Sequence, residues 1–131
     1  MSHTRTVEVE RKEYRALAAL DAALLRCEGE MDEFALQHLS EELFRLSHRG
    51  VRKVVIDFSG VDHVDYRGLQ PLAARARLLR SSGGDLKLCG LTPYIAAILR
   101  AAGVEDEFEM YRDADEAKAS FADASVLALV R

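Results

Sequence analysis

The feature that most constrains this chain is the passage from Val51 to Leu69. Val54, Val55 and Ile56 stand side by side within a strand predicted over residues 51–58. A strand with one wet face alternates apolar and polar side chains, whereas adjacent β-branched residues call for cover on both faces. A short polar stretch, read as a loop, follows, and Asp65-Tyr66-Arg67-Gly68-Leu69 then opens a helix. A strand covered on both sides and feeding a helix implies α/β layering. The junction between them gathers backbone N–H groups and the positive end of a helix dipole. It is suited to a phosphate or to an acidic side chain from a partner.

The flanking segments extend this layout. Residues 1–12 alternate loosely through Val7 and Val9, as a tail or an edge strand, and residues 13–28 are Ala/Leu-rich and compatible with helix or strand. Glu33–His48 is an amphipathic helix with Phe34, Leu36, Leu39, Leu43 and Leu46 on one broad face, N-capped by Asp32 and stopped at Gly50. A second helix is predicted over 68–82, with Leu69, Leu72, Ala73, Ala76 and Leu79 as its apolar stripe and Arg75, Arg77 and Arg80 outside it. Pro71 fits only its first turn. Gly83-Gly84 ends that helix, residues 85–91 form the next strand, and Thr92-Pro93 starts a helix to Ala102. A short strand over 108–111 and a helix capped by Asp113 and running to about Leu127 complete the order. Such αβ alternation predicts a central, mixed but mostly parallel sheet with right-handed crossovers and helices packed against it. Its core is expected to hold Val54, Ile56, Leu69, Leu72, Leu88, Ile95 and Ile98.

Composition narrows the function. The 131 residues suit one domain, and 22 acids against 18 bases give a net charge of −4. That balance argues against nucleic-acid binding, which needs a basic face. No apolar run approaches the ~20 residues of a membrane span, and the N-terminus has no apolar signal region. A cytoplasmic location without membrane insertion is expected. Cys27 and Cys89 form no CxxC pair and are read as buried free thiols. There is no Walker loop, GxGxxG, GxSxG or HxxxH spacing. No cofactor, structural metal or catalytic residue is assigned.

Several landmarks recur in a known order: Gly29-Glu30-Met31-Asp32, the Val54–Phe58 strand, Asp65-x-x-Gly68-Leu69, Gly83-Gly84 before a strand, and Leu91-Thr92-Pro93 opening a helix. Ile98-x-x-Ala101-Ala102-Gly103-Val104 follows. Together they resemble STAS domains, specifically the anti-sigma factor antagonists, over residues 13–128. The resemblance implies a STAS-like domain over 13–131. It also favours a hairpin at its start, with residues 14–18 turning near Asp21 into a strand over 22–28. In that family the junction reads Asp-Ser-Ser/Thr-Gly-Leu, and the first Ser is phosphorylated by a partner kinase. Phosphorylation adds roughly −1.5 to −2 charges and weakens the complex.

Here Tyr66 holds the acceptor position and Arg67 the next. A tyrosine hydroxyl lies several ångströms further from the backbone than a serine's, so no serine switch is expected at Tyr66, and Ser59 is expected to stay unmodified. The resemblance implies a non-enzymatic protein–protein interaction module in bacterial cytoplasmic signalling, whose partner is an anti-sigma factor or kinase. The oligomeric state is left open. Asp32, Asp62, His63, Asp65, Tyr66, Arg67 and Gly68 are the candidate partner-binding residues. Tyr66 is expected to be an exposed anchor, and the Arg67 cation favours an acidic or phosphorylated partner. One rival is a STAS subunit of a transporter or sensory assembly. Another, from a different class, is a ligand- or Mg²⁺-binding phosphotransfer domain built on Asp57, Asp62 and Asp65.

Overall fold

The computed structural model describes residues 5–9 and 22–121. Five strands form one sheet: β1 (Arg5–Val9), β2 (Ala22–Met31), β3 (Lys53–Val64), β4 (Asp85–Cys89) and β5 (Glu109–Tyr111). They lie in that order across the sheet. β1 runs antiparallel on the edge, with Arg5 paired to Gly29 and Val9 to Leu25. All other neighbours are parallel. Parallel strands need crossovers, and helices α1 (Glu33–His48), α2 (Leu69–Ser81) and α3 (Pro93–Ala101) supply them. A further helical segment covers residues 114–121. This is the mixed, mostly parallel α/β architecture the sequence predicts, with residues 53–57 of β3 between two neighbours.

The run Val54-Val55-Ile56 is explained by two cores. Val54, Ile56 and Phe58 point into the larger one with Leu36, Leu39, Leu43 and Leu46 of α1, Leu69 and Leu72 of α2, and Ile95 and Leu99 of α3. Val55 points the other way, towards Ala22, Leu24, Cys89, Ala117 and Phe121. Fully burying each such Leu, Ile or Phe contributes about 1.5–3 kcal/mol. Lys87 is buried on the second face, donating to Ser120 Oγ at 2.6 Å and paired with Glu109 at 3.2 Å. Its ammonium also sits 4.2 Å from the Phe121 ring centroid. A buried ammonium is tolerable only with such partners.

The local stop and start signals act as read. Asp32 Oδ1 accepts the Ala35 N–H at 2.8 Å, Thr92 Oγ1 that of Ile95 at 3.2 Å, and Asp113 Oδ1 that of Glu116 at 2.9 Å. Gly84 is required because a Cβ there would lie 2.1 Å from the Arg52 carbonyl oxygen.

Four expectations need correction or fall away. The hairpin strand over 14–18 lies outside the described residues, while Arg5–Val9 pairs with β2 over Leu25–Gly29. Phe34 is 74% exposed, because α1 buries Ala35, Leu36, Leu39, Leu43 and Leu46 and Phe34 falls off that stripe. Ile98 is half-buried at the edge of the core, and Leu99 takes the interior position.

The largest difference is in β3. The polar stretch read as a loop is strand as far as Val64, paired with β2 through Gly60, Val61, His63 and Val64. Two register shifts leave extra residues on β3, and Asp62 is one of those without a Cα partner. Phe58, Val61 and Val64 are buried at intervals of three. Bulges thus replace the period of two that marks a strand.

A candidate partner-binding surface at the end of β3

Beyond Asp57, β3 loses its β4 neighbour and continues beside β2 alone. The Asp65 N–H donates to the Met31 carbonyl at 2.9 Å, fixing the start of the junction to the end of β2. Asp65 then caps the 3₁₀ turn Tyr66–Gly68 that precedes α2, its Oδ1 accepting the Arg67 N–H at 3.0 Å. The same carboxylate receives the Arg67 guanidinium in a fork, Nε to Oδ1 at 3.1 Å and a terminal nitrogen to Oδ2 at 2.8 Å. These guanidinium and backbone donations hold the Asp65 pKa down at about 2, and the carboxylate raises that of Arg67 in return.

The junction is consequently less open to an anion than its sequence suggests. The Arg67 N–H goes to Asp65 Oδ1, the Gly68 N–H to the Asp65 carbonyl at 3.0 Å, and the Leu69 N–H to the Tyr66 carbonyl. The Arg67 charge, expected to point towards a partner, folds back onto Asp65. Gly68 is buried, and a Cβ there would lie 2.5 Å from Leu36 Cδ1 and 2.8 Å from Leu36 Cβ. Its service is to let α2 approach α1, beneath the surface that a partner would touch.

Tyr66 is 63% exposed, and its ring and hydroxyl have no aromatic or hydrogen-bond partner among the described residues. A groove of about 640 Å³ opens beside it between the end of β3 and α3. His63, Val64, Asp65, Tyr66 and Arg67 line one side, and Tyr94, Ile98 and Ala101 the other. His63 Nδ1 and the Tyr94 hydroxyl are 2.7 Å apart and share a hydrogen bond, with ring centroids at 5.8 Å. The structure therefore gathers four of the candidate residues in one groove.

Asp62 is exposed on its bulge, while Asp32 is half-buried and committed to the α1 cap. The α3 side of the groove was not anticipated. The available signal was Tyr94 itself, a large aromatic in the first turn of α3 off the stripe set by Ile95 and Leu99.

The alternative acidic site is not assembled. Asp57 is buried at the other face of β3, accepting the Ser59 N–H at 2.9 Å, with Arg26 Nε at 3.9 Å. Asp65 is held by Arg67. Among the described residues no three His, Cys, Asp or Glu side chains come together as metal ligands. Cys27 and Cys89 are buried, and burial, reinforced by Asp57, pushes both thiols up to about 12. They remain protonated and unreactive at neutral pH. The α2 arginines are engaged within the domain: Arg77 and Arg80 pair with Glu107 at 2.9 and 3.1 Å, and Arg75 lies over the Phe44 ring. Among the described residues no helix is long and apolar enough to cross a membrane.

A strand running into a capped junction, with three crossover helices on one face of a mostly parallel sheet and helical residues 114–121 on the other, is a layered α/β architecture. The chain belongs to the STAS domain family, whose model matches residues 14–117. It is similar to BtrV of Bordetella bronchiseptica, provisionally described as an anti-sigma factor antagonist, with 28% identity over 103 residues. That match covers 78% of this chain and 89% of BtrV. Its fold is similar to that of an anti-sigma factor antagonist from Mycobacterium paratuberculosis, with a TM-score of 0.74 and 20% identity over 93% of this chain and 99% of the other. It is also similar to the antagonist SpoIIAA in its unphosphorylated form, with a TM-score of 0.66 and 16% identity over 90% and 98% of the two chains.

Proposed function

We propose that this chain is a non-enzymatic protein-binding module of the anti-sigma factor antagonist kind, working in bacterial cytoplasmic signalling without a serine phosphorylation switch at its junction. Its partner is an anti-sigma factor or its kinase. The contact surface is the end of β3, the 3₁₀ turn and the start of α2. The observation that carries this reading is Tyr66, a large aromatic that is 63% exposed and has no internal partner among the described residues, at the junction where the family resemblance would put a phosphoacceptor. An aromatic that contributes nothing to the core and stands at a groove rim has the character of an interface anchor. Asp65, closed on Arg67, is not free to orient a hydroxyl for phosphoryl transfer.

The test is a pull-down from native cell extract, followed by titration of the captured anti-sigma factor against wild-type and Tyr66→Ala protein. Weaker binding with an unchanged melting temperature supports the surface. Unchanged affinity with a lowered melting temperature would move the functional surface elsewhere. Incubation with the captured kinase and ATP is expected to leave residues 59–70 unmodified. Stoichiometric phosphate on Ser59 or Tyr66 by mass spectrometry would refute the missing switch.

A further inference from the structure

We propose that the groove between the end of β3 and α3 receives a bulky uncharged apolar side chain of the protein partner, making Tyr94, Ile98 and Ala101 part of the recognition surface. The inference rests on the protein-binding reading above and adds the chemistry of the partner's anchor. The first argument is charge. The ionised groups in the groove wall, Asp65 and Arg67, neutralise each other through a two-pronged contact at 3.1 and 2.8 Å. A charged side chain entering there would surrender its hydration and find no unpaired counter-charge. The second argument is polar satisfaction. His63 Nδ1 and the Tyr94 hydroxyl already satisfy each other at 2.7 Å.

What the groove still offers is mainly apolar: Val64, Ile98, Ala101 and the unstacked ring of Tyr66, with the Tyr66 hydroxyl as an open uncharged polar group at the rim. Such walls gain free energy when water leaves them for apolar surface. The neighbouring depression is a poorer host. It is smaller, about 300 Å³, and is lined largely by polar residues of α1 and the junction, including Glu33, Gln37 and Ser40.

The test uses the full chain, ¹⁵N-labelled, titrated by NMR with N-acetyltryptophanamide, N-acetylleucinamide and the α-amide of N-acetylglutamate. The two neutral probes are expected to shift the amides of His63, Tyr66, Tyr94, Ile98 and Ala101 saturably and equally at low and high salt. The glutamate probe should leave them in place. Ala101 is exposed, so Ala101→Phe can fill the groove while the rest of the spectrum stays native. It should abolish the shifts and weaken the captured partner at least tenfold. A stronger response to glutamate than to tryptophan, or none to either neutral probe, overturns the proposal. Weakening by Tyr66→Ala but not by Ala101→Phe defeats the groove and leaves the protein-binding surface standing. Absence of any effect from Tyr66→Ala defeats that surface first.

Discussion

The two halves of β3 are one strand put to different uses. Residues 53–57 pair with β2 on one side and β4 on the other, in unbroken register. Residues 58–64 pair with β2 alone, through two bulges, and the last two, His63 and Val64, line the groove beside α3. The first half contributes cohesion: Val54, Val55 and Ile56 are fully buried between two cores. The second half alternates buried Val61 and Val64 with the exposed Asp62 and the half-buried His63. Losing a neighbour strand leaves one side of this half unpaired, which is what the proposed recognition surface requires. The bulges then re-aim the side chains that remain.

The sharpest way to break this comparison is to remove side chains from each half. Ile56→Ala should cost about 2–5 kcal/mol in urea unfolding, as buried large-to-small changes do. Val61→Ala, at the looser end, should cost about 1–2 kcal/mol. Equal losses per carbon removed, three at Ile56 and two at Val61, would mean that the two halves are equally embedded. Tyr66→Ala should cost about 2 kcal/mol or more of partner affinity, the scale of an aromatic hot spot, with folding stability unchanged. Gly68→Ala tests the support beneath: forcing a Cβ against Leu36 should destabilise the domain by about 1–3 kcal/mol, as overpacking does. A Gly68→Ala protein of native stability would show that α2 can draw back from α1.

The smallest expected effect concerns pH. The Asp65 carboxyl has a folded pKa of about 2 against a reference of 3.8. A depressed carboxylate stabilises the fold above its unfolded pKa and loses that contribution as pH falls through the folded one. The junction's share should therefore fade between about pH 4 and pH 2. Asp65→Asn should flatten this part of the stability profile, measured by urea midpoints at successive pH values. An unchanged slope would show that the Arg67 fork does not persist in solution. Because the pair is surface-exposed, added salt should also reduce its share.

Much of this domain was legible along the chain because the signals are local. Asp32, Thr92 and Asp113 announce helix starts through side-chain oxygens that reach only three residues ahead. The stripe Leu69, Leu72, Ala73, Ala76 and Leu79 needs only the helical repeat to declare its buried face. The adjacent β-branched residues of β3 likewise required two covered faces wherever their partners came from. Tertiary structure alone decided the rest. A polar segment broken by bulges reads as a loop until β2 supplies its hydrogen bonds, so residues 59–64 could not declare themselves strand. Arg67 points at Asp65 instead of outward because Asp65, as cap of the 3₁₀ turn, accepts the Arg67 N–H and holds its carboxylate within reach of the guanidinium, a geometry that charge in sequence does not encode. His63 and Tyr94, thirty-one residues apart, meet only because α3 crosses beside the end of β3. Local periodicity determines which elements form and which faces they bury; the close approach of distant elements determines where a groove opens and which side chains line it.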